Sequence, residues 1–390
     1  MPYKLHTTRV AERQEIVKNF PLVVKTILIC VLPMLMLFLI ALHVMHTDEQ
    51  NEIETKTLQI EAIETEVRDA QKILPHLLLT YDTYLGPGIA AGWQDPDFFG
   101  NTLKIQGALN TKIQEGEISY TFNNLQGHDN LSLMLALGFL TQDIKAFREN
   151  SVFVAGIFER KFTENLSLSV GPMLQWMKVN KAANFNGTFD LLKSPIHLRW
   201  QNIDDPNNPS NGVDFQLNLV PSFQFMNSNF AYLMGTLSGR LYKSFTESKR
   251  HIFSLKFMIG SILTRNGQSI PPPDLFYAGS QTTLRGYNYW TVSPMSPTGQ
   301  PIGGFSMIIF SVELANRISK DFGMTIFYDA GNVYANTIPN FSQNGLLQSA
   351  GFGIWYYTPI GPIRLEAAFP LDKRSIDKAV GLYFRMGQSF

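Results

Sequence analysis

After Lys72 the chain alternates apolar and polar positions over most of its length. Leu103, Ile105 and Leu109 share one face of a predicted strand, with Lys104, Gln106 and Asn110 on the other. The pattern returns at Leu166, Leu168 and Val170 against Ser167, Ser169 and Gly171, and at Val213, Phe215, Leu217 and Leu219 against Asp214, Gln216 and Asn218. Towards the end, Ile308, Phe310, Val312 and Leu314 oppose Ser311 and Glu313, and Met324, Ile326 and Tyr328 oppose Thr325, Phe327 and Asp329. Ile363, Leu365, Ala367 and Phe369 then oppose Arg364 and Glu366, and Val380, Leu382, Phe384 and Met386 oppose Gly381, Tyr383 and Arg385. A period of two is that of a β-strand with unlike faces.

Turn-forming stretches divide the chain from Leu77 onward into about sixteen strands, with short and long connections roughly alternating. Among the expected breaks are Gly86 to Gly88, Gln114 to Gly116, Lys181 to Asn186, Asp204 to Asn211 and Leu371 to Lys378, and the longest runs from Arg265 to Gly303. Alternation fits a soluble sandwich with its apolar faces inward. It equally fits a membrane barrel with its apolar face outward. Strands long enough to cross at a tilt favour the barrel. So do aromatics near strand ends, namely Trp93, Trp200, Trp290, Trp355, Tyr356 and Tyr357.

The N-terminal stretch adds export. Thr26 to Val44 carries no acidic residue, Lys or Arg and is preceded by Arg9, Arg13, Lys18 and Lys25. That combination fits a secretory signal and also an uncleaved membrane anchor. From Thr47 to Lys72 the chain turns acidic and polar. Ile53, Ile60, Ile63, Val67 and Ala70 suit an amphipathic helix, while Leu58, Ile60 and Ala62 suit a short strand. The expected organisation is a signal or anchor over 1–45, an acidic linker over 46–74 and a barrel over 75–390. The fold class is therefore all-β, a sixteen-stranded antiparallel transmembrane β-barrel with an N-terminal apolar helix and short linker.

Composition supports this reading. Charged residues are 16% and aromatics 12%, with formal net charge zero, against about 25% charge in soluble domains. Neutrality disfavours nucleic acid as a partner, while the low charge leans toward membrane, and the expected partner of an exported barrel is outer-membrane lipid. Cys30 is the single cysteine, which leaves no disulfide framework or Cys metal site. No GxSxG, P-loop or paired-His spacing is present, so no catalysis, cofactor or metal is expected.

One charge stands out. Arg285 lies in LRGY, Leu284 to Tyr287, within the long Pro-rich and aromatic connection. Its surroundings fit either a solvated loop or a place inside the barrel. Enclosed, it would draw a carboxylate, and Glu313 and Asp329 both fall on polar strand faces, the latter between Phe327 and Gly331. Gly286 would let the loop approach the wall closely.

The ordered segments FYAGSQTTLRGYNYW, GGFSMIIFSVEL, FYDAGNVY, GFGIWYYTPIGPIRLEAAFPL and LYFRMGQSF resemble the BamA/TamA superfamily of outer-membrane assembly proteins, and its TamA-like members most. The resemblance covers Leu77 to Phe390. It implies an inward-folded loop carrying Arg285, held by Asp329 and Glu313, in a barrel that inserts or assembles other outer-membrane β-proteins. TamA-like members work with TamB, a large inner-membrane-anchored partner, and serve autotransporter-type substrates. Members usually carry periplasmic POTRA domains, for which Met45 to Lys72 is too short; Leu58 to Ala62 would fit a remnant.

A closed barrel must also join its first strand to its last. The expected seam involves Leu77, Leu79 and Tyr81 on one side and Gly381, Tyr383, Gly387 and Phe390 on the other. Pro75 cannot donate to a ladder and the two glycines weaken packing; either this leaves backbone that an incoming strand could extend, or Pro75 only ends the linker and the glycines fit the pleat. The terminal LYFRMGQSF also resembles an assembly signal for barrel proteins, with Gln388 a polar departure. The expected function is an outer-membrane assembly or translocation factor acting on unfolded outer-membrane proteins. The alternative is a passive or secretion pore, including a two-partner-secretion-type transporter.

Overall fold

A computed structural model of the chain describes residues 76–387 except 207, 227–229, 265–269, 342–344 and 359–360. The signal or anchor, the acidic linker, Pro75 and Phe390 lie outside the described residues. What is described is one antiparallel sheet closed into a barrel of sixteen strands. The first six are β1 (His76–Asp82), β2 (Gly86–Phe98), β3 (Asn101–Asn110), β4 (Ile113–Phe122), β5 (Leu131–Asp143) and β6 (Arg148–Thr163). Two interrupted strands follow, β7 (Leu166–Val170 with Met173–Asn180) and β8 (Gly187–Lys193 with Ile196–Ile203). The remainder are β9 (Gly212–Gln224), β10 (Phe230–Ser244), β11 (His251–Thr264), β12 (Ser306–Arg317), β13 (Phe322–Tyr334), β14 (Leu347–Thr358), β15 (Gly361–Pro370) and β16 (Gly381–Gly387). Each pairs with its sequence neighbour, and β16 returns to β1.

The interruptions of β7 and β8 have a single cause. Register is unbroken across both gaps, because Val170 and Met173 pair in step with Ile196 and Lys193. Pro172 and Pro195 lack the N–H that the ladder needs. The remaining bonds run across the gaps from Gly156 to the Pro172 carbonyl, from Gly171 to that of Pro195 and from Ser194 to that of Pro221. Prolines on three adjacent strands thus fall in one line across the wall. Gly171 is required there, since a Cβ would lie 1.9 Å from the Gly156 carbonyl oxygen.

Two expected turns are displaced. The chain reverses before Gly86, where Asp82 Oδ1 accepts the N–H groups of Tyr84 and Leu85, and Gly86 to Gly88 open β2. Gln114 to Gly116 belong to β4, because Asn110 Oδ1 accepts from the N–H groups of Lys112 and Ile113 and places the turn there. Both are Asx turns, in which a short side chain supplies the acceptor that closes the turn. Gly116 serves packing instead: the Phe139 ring lies 2.6 Å from where its Cβ would be.

The faces follow the alternation. Leu135, Leu137 and Phe139 are exposed on the outside of β5 while Ala136 is buried within, and on β13 Met324, Ile326 and Tyr328 point out while Thr325, Phe327 and Asp329 are buried. Burying apolar side chains inside a large barrel is not required, because lipid takes their place. The aromatics divide. Trp200 and Tyr356 face outward, whereas Trp355 is buried inside over Gly323 and Trp290 stacks on Tyr277 in the lumen. These two do not belong to an outer girdle. The longest connections, between β11 and β12 and between β13 and β14, lie at one end of the barrel, where those between β1 and β2 and between β3 and β4 are tight.

Leu137→Arg should cost about 2–4 kcal/mol in urea-dependent refolding into phospholipid vesicles, as a charge on the lipid face does. The lumen-facing Thr121→Arg should cost much less; equal losses would show that the outer face does not meet lipid.

Candidate functional site

The connection between β11 and β12 is described from Ile270 onward and folds into the barrel. Isolated pairings of Phe276 with Gly304 and of Ala278 with Val292 make it a narrow hairpin. Its apolar side chains, among them Leu275, Phe276, Tyr277, Leu284 and Tyr287, join a core with Phe147, Phe189, Ile262 and Ile309 from the wall. The lumen at the long-loop end is therefore packed like a protein interior. A buried polar anchor holds the hairpin's entry, where Lys193 Nζ donates to Asp274 Oδ1 at 2.8 Å and Tyr232 donates to the second oxygen.

The tip carries Arg285. Its Nε and Nη2 donate to the two oxygens of Asp329 at 2.8 Å each, and its backbone N–H to Asp329 Oδ2 at 3.2 Å. Ser311 Oγ donates to Asp329 Oδ1 at 2.6 Å and accepts from Arg285 Nη2. Asp329 thus accepts four bonds with its side chain only 1% exposed. Glu313 lies 3.3 Å and Glu366 3.7 Å from Nη1. The guanidinium carbon sits 3.3 Å from the centroid of the Phe327 ring, which closes its open face. Burial alone would lower the proton affinity of Arg285; the bonds and charge of Asp329, with Glu366 and Glu313, reverse this and keep it cationic. Fork-to-fork pairing of this kind is the strong form of ion pair. Among the described residues no group of three or more His, Cys, Asp or Glu is placed to hold a metal ion.

The next residue reaches both ends of the barrel. Gly286 donates its N–H to the Tyr383 hydroxyl of β16 at 2.9 Å and accepts from the Tyr84 hydroxyl, just after β1, at 2.7 Å. Its φ of +87° and the 3.2–3.3 Å approach of Pro370 and Ala368 backbone atoms to any Cβ both require glycine. Tyr287 donates to the Gln348 carbonyl at 2.7 Å, and Arg374 reaches Thr291 while pairing with Asp377.

Among the described residues the ladder between β1 and β16 contains five register pairs, from Leu78 with Gly387 to Asp82 with Tyr383. Beyond Asp82 the seam is extended by bonds between Thr83 and Leu382.

An Omp85 superfamily domain model matches residues 99–390. The chain belongs to the Omp85 superfamily. It is 32% identical over 137 residues to an outer membrane protein assembly factor BamA from Nitratidesulfovibrio vulgaris, a match covering 34% of this chain and 17% of that protein's length. Its fold is similar to BamA from Haemophilus ducreyi lacking POTRA domains 1–3, with TM-score 0.71 and 17% identity over 88% of this chain and 80% of that one. It is also similar in fold to CdiB from Acinetobacter baumannii, with TM-score 0.57 and 14% identity over 82% and 60%. An Omp85 barrel with this outer face is an outer-membrane protein of the Gram-negative type.

Within this Omp85 barrel, Arg285 meets Glu313, Phe327 and Asp329 at the loop tip, Gly286 bonds Tyr383, and Leu284 and Tyr287 pack into the lumen core. Gly331 lies two residues further along β13 and lets that strand sit against Ile308 and Ile309. Leu77 and Tyr81 are exposed on the outer face, and Leu79 pairs with Met386. Leu77 pairs with Ala91 of β2, and among the described residues the β1–β16 ladder runs from Leu78 to Asp82. Gly381 pairs with Ala368 on the opposite side of β16 and gives Gly286 room, with a would-be Cβ 3.1 Å from its Cα. Sequence reasoning missed Ser311, Glu366, Tyr84 and Asp274. The signal for Glu366 was present in its place on a polar strand face; Tyr84 and Asp274 had none beyond residue type.

Arg285→Ala should lower stability by about 3–5 kcal/mol, because Asp329 is left buried without its cation. Asp329→Asn should act in the same direction, and thermal unfolding of the double variant in detergent should fall well short of the sum. Strict additivity would contradict the contact.

Proposed function

We propose that the chain is the barrel of an outer-membrane assembly factor that helps insert or secrete β-barrel or autotransporter-type substrates. One observation carries the reading: the β1–β16 seam is clasped from inside by Gly286, which bonds Tyr84 beside one seam strand and Tyr383 on the other. The names of the curated BamA relatives support the same class.

The physics of such a seam selects its opener. Parting β1 from β16 within lipid leaves N–H and C=O groups without water, at several kcal/mol each. An incoming β-strand offers the same bonds back, so augmentation exchanges pairs and need not create open edges. The seam therefore opens to a strand and resists opening to nothing. Folding of the substrate supplies the driving force, without nucleotide or catalytic chemistry. The Arg285 latch fixes the loop that carries Gly286 and sets how firmly the seam is held. The TamA-like assignment and a TamB-like periplasm-spanning partner belong to this proposal, the latter tested by co-purification with such a protein.

In a Cys30→Ser background, Leu79→Cys with Met386→Cys places two thiols on register partners, whose Cα separation in an antiparallel ladder suits a disulfide. Oxidised protein in liposomes should lose its acceleration of β-barrel substrate insertion, and reduction should restore it. Acceleration that survives the crosslink would defeat seam opening. Stable ion conductance with no acceleration in the uncrosslinked protein would favour a passive or secretion pore.

A further inference from the structure

Below the loop tip the lumen holds a cavity of about 400 Å³, lined by Arg240, Lys256, Arg317, Arg364 and Arg385 together with the latch. The three carboxylates that line it, Glu313, Asp329 and Glu366, all face Arg285 within 4 Å. The other five cations have no carboxylate within ion-pair distance among the described residues. Lys256 donates to the Thr282 carbonyl and Arg317 to Asn208, yet Arg317 Nε is buried with no partner. The side chains of Arg240, Arg364 and Arg385 make no hydrogen bond within the described residues.

Their placement is costly. Arg240 is the register partner of Lys256, and Arg364 that of Arg385, so two like-charge pairs stand directly opposite across adjacent strands and face one space. Like charges in that position destabilise a sheet. Scattered lumen cations would solvate separately; two facing pairs around one cavity raise the local potential and focus an anion there.

We propose that this cavity binds a phosphate-class oxyanion, with Arg364 and Arg385 on one wall and Arg240 and Lys256 on the other. A guanidinium fork matches two oxygens of a tetrahedral oxyanion, which a single halide cannot satisfy. Several converging cations favour a multivalent charge. The volume falls in the range of small-molecule sites and leaves room for a group esterified to the phosphate. Free phosphate esters and lipid headgroup phosphates share this chemistry. The site includes Arg385 of β16, the register partner of Thr80 across the seam, but its anion chemistry does not depend on the assembly reading.

The test uses full-length protein in phosphorus-free maltoside micelles at fixed ionic strength. Pyrophosphate should raise the melting temperature saturably, and Arg364→Gln with Arg385→Gln should raise the half-saturating concentration by roughly ten- to a hundredfold. That variant should melt no lower than wild type without ligand, since it removes a repulsive pair. Should it fail to fold, Arg240→Gln from the opposite wall gives the same comparison. If pyrophosphate has no effect but purified wild type carries stoichiometric phosphorus that the variant lacks, the site holds a lipid phosphate and the proposal stands. A rise matched by chloride at equal ionic strength, a rise unchanged in the variants, or neither stabilisation nor bound phosphorus would overturn it.

Discussion

A guanidinium sealed inside a barrel must be answered by carboxylate, and the pairing of Arg285 with Asp329 sets much of the lumen's design. An ion pair of this kind is not stabilising by its existence, because removing both charges from water costs several kcal/mol each. It persists when every donor and lone pair is used, and here Ser311, the Arg285 backbone and the Phe327 ring complete the set. What the pair secures is position. Replacing it by apolar side chains of similar volume could keep the fold while letting the hairpin tip wander, and the tip is where Gly286 meets Tyr84 and Tyr383.

That coupling gives the barrel two kinds of strength. Most of its wall is held by long ladders, thirteen register pairs between β9 and β10 and thirteen between β10 and β11. The β1–β16 junction, with five among the described residues, has in addition side-chain bonds to a loop that belongs to neither strand. Resistance at this junction is thus adjustable from inside the lumen without altering the lipid-facing surface.

Much of this was legible in the residues. Alternation placed Asp329, Phe327 and Gly331 on one face and Glu313 on another, and a rigid pleat carries such a pattern faithfully. It failed where glycine had two meanings. Gly116 reads as a turn but makes room for Phe139, while the actual turn is closed by Asn110. Trp355 reads as an interfacial anchor but fills space over Gly323. Glu366 was visible as a polar-face residue, yet its approach to Arg285 depends on wall curvature bringing β15 and β12 to one loop. Tyr84 and Tyr383 sit far apart in sequence, and only closure of the sheet gives them a common partner.

The clasp also dates itself in the life of the molecule. Gly286 lies 202 residues from Tyr84 and 97 from Tyr383, so its two bonds enclose long stretches of chain whose ordering entropy must be met first. Neighbouring hairpins zip locally; this contact waits until the first strand has found the last. Its two tyrosine hydroxyls are satisfied together only in a barrel that has already become a ring. The completed clasp is therefore a record of circularity, written at the one place where the linear chain has no neighbour of its own.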